Sequence, residues 1–206
     1  MKLKLTNCPG QSLVEMLIVL FVISVGLYAA VTMIFSNVNL QEQDADQTIA
    51  MNLAREALEL VQNQRDSNWL SSSQFDAGML DQPGDCTAAP AWDGTGVPDP
   101  FFDFTPNTID QARIYKSTKS ASLGMFTNVV STSTTDIYRL VTFAPICQDT
   151  NDATKKAAAD GLCVCPPTGL PAYTKEVGLR AKVDMRWYRK SRPLNLTIFS
   201  DFYDWR

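Results

Sequence analysis

The sequence predicts an α+β protein in which a long N-terminal helix, transmembrane and then amphipathic, packs on a small antiparallel β-sheet head. Three patterns carry that expectation. Met16 to Phe35 are 20 residues without a charge, and the uncharged run continues to Gln41. From Gln41 to about Asp66 the apolar residues return at steps of three and four, the period of a helix with one buried stripe. From Glu176 to Phe202 they alternate singly, as on a strand with one buried and one wet face. Of the 206 residues 45% are hydrophobic and 19% charged, enough apolar surface for a core and too much for wholesale disorder. Histidine is absent. Its absence removes Ser–His and Cys–His nucleophiles, HExxH zinc sites and His-ligated haem; enzymes built on carboxylates, Lys or Tyr survive this cut, but nothing marks out such a site and no enzyme is expected.

The apolar run comes first in the chain. Twenty helical residues at ~1.5 Å each cover about 30 Å, the thickness of a bilayer's hydrocarbon core. Lys2 and Lys4 precede the run, whereas Glu42, Asp44 and Asp46 follow it and no Lys or Arg returns before Arg55. Positive flanks stay in the cytoplasm, so a single-pass protein of the cytoplasmic (inner) membrane is expected, with its N-terminus inside and its head outside. A removable secretory signal would have a shorter apolar stretch of about 7–15 residues, and it would not carry Glu15 at its start.

Glu15 gives the run its character. Cys8-Pro9-Gly10-Gln11-Ser12-Leu13-Val14-Glu15, followed by Met16-Leu17-Ile18-Val19-Leu20, resembles the N-terminus of type IV pilins and type II secretion pseudopilins. The resemblance implies a leader over 1–10, removed by a prepilin peptidase between Gly10 and Gln11, and N-methylation of the new Gln11 amine. Glu15 becomes the fifth mature residue. The physical chemistry agrees with that arrangement, because a carboxylate in a transmembrane helix costs a few kcal/mol, roughly, unless it is paired. Cleavage creates an α-amino group that is cationic near neutral pH, one helical turn from Glu15. With helices side by side and offset, Glu15 of one subunit meets the Gln11 amine of the next, and the buried pair sets register. Two departures stand out: the mature chain begins with Gln rather than a bulky apolar residue, and no Pro interrupts the span. Any local unwinding would have to occur around Gly26.

The remaining elements follow in order. A transmembrane helix over 11–36 continues as an amphipathic half over 37–66, together 56 residues and ~84 Å at the standard rise. Ala45, Ile49, Leu53, Ala57, Leu60 and Val61 form its stripe, and Asp66-Ser67-Asn68 ends it. The globular head spans 67–206. It starts with an irregular loop over 71–108 in which Pro and Gly are frequent, with acidic residues at Asp93, Asp99, Asp103 and Asp110. Calcium is possible there by ligand chemistry, but the spacing is not that of an EF-hand and a solvated acidic loop is the plainer reading; no cofactor is expected. Weaker strands are expected over 111–116 and 124–131, and a clearer one from Ile137 to Phe143. Residues 176–202 read as a hairpin with its turn at Arg189–Pro193. Val177, Leu179, Ala181, Val183, Met185 and Trp187 face inward from its first strand. Leu194, Leu196 and Ile198 face inward from its second.

With Cys8 lost in the leader, Cys86, Cys147, Cys163 and Cys165 remain. An even number outside the cytoplasm reads as two disulfides with three possible connectivities. Joining Cys163 to Cys165 closes a strained ring, so each is expected to pair with Cys86 or Cys147. A four-cysteine zinc site suits this spacing badly. From Lys175 onward eight cations stand against four acids, with Trp187 and Tyr188 among them. Single-stranded DNA is the ligand such a set could hold. The net charge of −4 argues against a DNA-gripping chain, and nucleic acid is not an expected partner.

The sequence thus predicts a pilin-like subunit, more in keeping with a minor than a major one. It would be processed by the peptidase and assembled into a type IV pilus or type II secretion pseudopilus through its N-terminal helix. Its partners would be the membrane, the peptidase, other pilin-like subunits and the inner-membrane assembly platform. The alternative is a membrane-anchored binding ectodomain, an adhesin or a DNA-uptake pilin.

Overall fold

Sixty consecutive residues, Gln11–Leu70, form one α-helix, α1. The computed structural model describes residues 11–80, 86–91, 102–117, 126–128, 133–154, 156–159, 162–165 and 173–204. The chain divides into two compact units, residues 1–48 and 49–206.

α1 runs past Asp66 and stops for a local reason. The amide of Ser73 donates to the carbonyl of Asn68 at 2.9 Å and that of Ser72 to Trp69 at 3.2 Å. Ser72 has φ 59°, so the two bonds around a left-handed residue make a Schellman cap, here without the usual glycine. The buried Asn68 side chain then donates to the carbonyls of Phe75 (3.1 Å) and Ala77 (2.8 Å), folding the following loop back on the helix. Arg65 adds a second tie: its guanidinium lies 4.6 Å from the Trp69 ring centre and 5.3 Å from that of Phe202.

In the second unit the stripe of α1 consists of Ala50, Leu53, Ala54, Ala57 and Val61, all buried. Three of these five are alanines, and the core they join includes residues of the sheet. The expected stripe residues Ala45 and Ile49 are exposed, and Leu60 is partly buried against the core.

The sheet is not small. Among the described residues it has eight strands, all paired antiparallel. These are β1 (Thr87–Pro90), β2 (Phe102–Asp103), β3 (Arg113–Lys116), β4 (Phe126–Thr127), β5 (Ser133–Asp149), β6 (Lys156–Ala158), β7 (Tyr173–Arg189) and β8 (Arg192–Tyr203). The expected strand at Ile137–Phe143 is only the middle of β5, whose 17 residues organise everything else. One edge of β5 pairs with β7 from Ile137↔Trp187 to Asp149↔Tyr173. The opposite edge is shared in succession by β3, β1 and β6, at Ser133–Tyr138, Val141–Thr142 and Ile146–Gln148. β2 extends β1 and β4 extends β3. Residues 71–108 therefore contain two strands and are not wholly irregular. Their brevity and their alanines and prolines leave no alternation to read.

Val141 and Phe143 on β5, with Leu179, Ala181, Val183, Met185 and Trp187 on β7 and Phe202 on β8, join the helix stripe in one core. Val177 is a bulge residue, skipped between the Gly178↔Ile146 and Glu176↔Cys147 pairs. A Cβ on Gly178 would lie 2.5 Å from the carbonyl oxygen of Phe202, so only glycine lets β8 approach here.

The β7–β8 turn has two residues, Lys190 and Ser191, with φ 47° and 66°. Positive φ at both is the pattern of a type I′ turn, which matches strand twist but favours Asn-Gly. A left-handed conformation costs an ordinary residue roughly 1–2 kcal/mol. Lys190→Asn with Ser191→Gly is accordingly expected to stabilise the protein by about 1–2 kcal/mol. An unchanged or lower urea midpoint would contradict it.

Candidate functional site

The first unit is dominated by an apolar helical surface with nothing packed on it. Every described side chain from Leu13 to Ala45 is exposed, including Phe21 at 68% and Tyr28 at 74%. Water does not tolerate such a surface on a monomer, and hydrocarbon does. The backbone is ready for that medium, since an unbroken helix satisfies its own amides and carbonyls. Three polar side chains in the run are turned back on it. The Ser24 hydroxyl donates to the Phe21 carbonyl (2.8 Å), the Thr32 hydroxyl to Ala29 (2.8 Å) and the Asn39 amide to Phe35 (2.9 Å). One helix of this protein is thus long and apolar enough to cross a membrane. It passes Gly26 unbroken.

Glu15 is the only charge from Gln11 to Gln41, and it is exposed on α1 four residues after Gln11, the first residue of the helix. Gly10 and Cys8, and with them the rest of the expected leader, lie outside the described residues.

The head brings the four remaining cysteines together. Cys86 joins Cys163 with a Cα separation of 5.2 Å, and Cys147 joins Cys165 at 5.8 Å. The strand β5 and the chain entering β1 are thereby both stapled to one short segment. The cysteines are disulfide partners and not zinc ligands. Asp93 and Asp99 lie outside the described residues. The other two loop acids are apart in role: Asp103 accepts from the Thr105 amide at 2.9 Å, and Asp110 from Arg186 at 2.6 Å. Among the described residues no group of three or more potential ligands is placed to hold a metal.

Three cations of the hairpin have carboxylate partners. Arg180 binds both oxygens of Asp201 (2.7 and 2.9 Å), Lys182 lies 2.9 Å from Asp184, and Arg186 pairs with Asp110.

Two polar features of the head escape the sequence patterns. Arg139 is completely buried. Its Nη1 donates to the Leu53 carbonyl and to Glu56 Oε2, both at 3.0 Å, and its Nη2 donates to Asn128 Oδ1 at 3.1 Å. Asn128 in turn donates to the carbonyls of Ala112 and Arg113 at 3.2 Å. Burial lowers the guanidinium pKa from its ordinary value, and Glu56 opposes that shift. The visible signal was an Arg at an inward position of the alternation Ile137, Arg139, Val141, Phe143.

The second feature is a cleft of about 240 Å³ at the C-terminal end of α1, bounded by Trp69, Phe75, Asp76, Glu176 and Asp204. Glu176 Oε1 is buried and accepts no hydrogen bond among the described residues. Burial first, and the charge of Asp76 second, push this carboxyl up to about 7 from the ordinary 4.5. The folded head therefore keeps a proton that the unfolded chain releases at lower pH. Stability from this group is full below about 4.5 and is lost as pH rises toward about 7. Water reaches part of the carboxyl and screens it, so the loss is on the order of 1 kcal/mol. Glu176→Gln should flatten the difference between melting temperatures at about pH 5 and about pH 8. A difference that survives in the variant would assign the pH dependence to another group.

Comparison with protein-family models, with characterised proteins and with solved structures gives no match.

Proposed function

We propose that this protein is a pilin-like assembly subunit of a type IV pilus or type II secretion pseudopilus, anchored in the cytoplasmic membrane with its N-terminus inside. The observation that carries the reading is a continuous helix whose apolar side chains are all exposed over the charge-free run, with one carboxylate, Glu15, near its start. In lipid or in a bundle of like helices that carboxylate requires a cation. Cleavage after Gly10 supplies one in the Gln11 amine of a neighbouring subunit. The prepilin peptidase and the inner-membrane assembly platform are the partners this route needs, and the head works outside the cytoplasm, where its disulfides persist.

The alternative of a DNA-binding ectodomain has less support. Arg180, Lys182 and Arg186 already hold Asp201, Asp184 and Asp110. A groove that tracks phosphates needs its cations available.

Mass spectrometry of the protein from its own cells should find a chain beginning at N-methylated Gln11. Glu15→Ala should insert in the membrane as well as the parent, because it removes an unfavourable charge, yet lose most of its incorporation into filaments. An intact Met1 start, or undiminished incorporation of the variant, would refute the assembly reading.

A further inference from the structure

The four cysteines of the head are bridged out of chain order. The first joins the third and the second joins the fourth, Cys86 with Cys163 and Cys147 with Cys165. Bonds made in order of appearance would be Cys86–Cys147 and Cys163–Cys165, and the native set contains neither. The sheet shows why Cys86–Cys147 is not native. The Phe143 amide donates to the Cys86 carbonyl at 2.6 Å, and Thr87 and Ala88 then pair with Thr142 and Val141. Cys147 stands four residues further along β5 than Phe143, roughly 13 Å from that level. A disulfide needs its two Cα atoms within about 7 Å. A Cys86–Cys147 bond and the β1–β5 register therefore exclude each other.

Chain statistics do not select the native set either. Cys147 lies 16 residues before Cys163 and 18 before Cys165. Two flexible loops so alike differ in closure probability by only about 1.2-fold. The wrong choice, Cys147–Cys163, leaves Cys86 to Cys165 and gives the third connectivity. The fold is what separates the sulfurs: Cys163 has its Cα 5.2 Å from that of Cys86, and Cys165 has its Cα 5.8 Å from that of Cys147. That discrimination is available only once β1, β5 and the 162–165 segment have met, so early bonds are made without it. In the finished head Cys86, Cys163 and Cys165 are half-buried, and Leu162 and Val164 on either side of Cys163 are 48% and 64% exposed. The Cys86–Cys163 bridge thus lies at the surface between two exposed apolar side chains, whereas Cys147 is buried.

We infer that the head is the substrate of a thiol–disulfide isomerase, a reduced dithiol protein with an apolar substrate-binding face, which converts a first-formed Cys86–Cys147 bond into Cys86–Cys163. This rests on the reading that the head works outside the cytoplasm. Leu162 and Val164 are the side chains such a face would hold. The exchange consumes no oxidant. A catalyst thiolate attacks Cys86 Sγ, the Cys86–Cys147 bond breaks and Cys147 leaves as a thiolate. The Cys163 thiolate then attacks Cys86 Sγ, and the catalyst departs as the thiolate it began as. Cys147 and Cys165 are joined afterwards, and their two electrons and two protons reduce the disulfide of an oxidised dithiol protein.

The test uses the full chain with Cys8→Ser in detergent micelles, reduced and then oxidised by diamide, which supplies no thiol for exchange. Connectivity is read by mass spectrometry with fragmentation between Cys163 and Cys165. Diamide alone should give the native pairs in less than about half of the chains, with Cys86–Cys147 among the remainder. A catalytic amount of reduced disulfide isomerase, added once diamide is removed, should raise the native fraction at least about twofold with no change in free thiols per chain. Native pairing in the majority of chains under diamide alone would show that folding directs the cysteines unaided, and overturns the proposal. A mixture that the isomerase leaves unchanged overturns it too. The same chain is then expressed in exporting cells with and without their isomerase, and its free thiols are alkylated before lysis. Loss of the isomerase should lower the native fraction by a similar factor. Four free thiols in the head of either strain would defeat the export reading and this inference together. Native pairing that survives loss of the isomerase defeats this inference only.

Discussion

Replacing Arg139 by alanine is expected to destabilise the head by about 3–5 kcal/mol. The guanidinium links the Leu53 turn of α1 to the β3–β4 side of the sheet through Asn128. Alanine leaves a cavity of nearly a whole side chain and strands the Asn128 carbonyl oxygen. It also removes the cation opposite Glu56, but 37% of the Glu56 side chain is exposed, so that carboxylate has water to turn to. This asymmetry orders the variants. Arg139→Met fills most of the volume and leaves no buried charge, so it should lose less than alanine, about 1–2 kcal/mol. Glu56→Gln keeps an acceptor but leaves the buried cation without its counter-charge, and should fall between the two. Urea titrations of the full chain in micelles, followed by tryptophan fluorescence, measure all three. An alanine variant within about 1 kcal/mol of the parent would show that the network is incidental to stability.

The parts of the fold legible in the sequence are those where one period runs long enough to be counted. Of the stripe expected from Ala45 to Val61, Leu53, Ala57 and Val61 are buried while Ala45 and Ile49 are exposed, and the alternation from Leu179 to Trp187 buries every residue its spacing indicates. Sheet size was not legible. β1, β2, β4 and β6 have between two and four residues, too few for a period, and they are strands only because β5 and its neighbours offer edges to pair with. The cap of α1 was hidden for another reason, since Ser72 occupies a left-handed position where glycine would have announced it. Of the site residues, Glu15 is conspicuous because its chemistry contradicts its surroundings. Arg139 carries the same contradiction, one cation within an inward-facing apolar row, but a single exception in a short row is easily read as the wet face. The Glu176 cleft could not be foreseen at all: Asp76 and Glu176 are 100 positions apart and meet only through the cap and the bulge.

Reduction of the two disulfides should abolish the folded head. In the chain-entropy account the worth of a cross-link grows with the loop it closes. Separations of 77 and 18 residues give about 4.5 and about 3 kcal/mol respectively. The two loops overlap without nesting, so neither shortens the other much and the contributions nearly add. Their sum is comparable to the whole stability of an ordinary domain, about 5–15 kcal/mol. The single replacements separate entropy from packing. Cys86→Ala with Cys163→Ala opens the longer loop and should cost more by about 1 kcal/mol if loop closure dominates. Cys147 is buried in the central strand β5, so Cys147→Ala with Cys165→Ala adds lost contacts to lost closure. If this second pair is the more damaging, packing against β5 governs. Trypsin digestion of the reduced and oxidised full chain provides the reading: the oxidised head should resist and the reduced one should not. Persistence of a resistant head under reductant would mean that the core formed by α1 and β5–β8 is sufficient, and would remove the reason for confining its folding to an oxidising compartment.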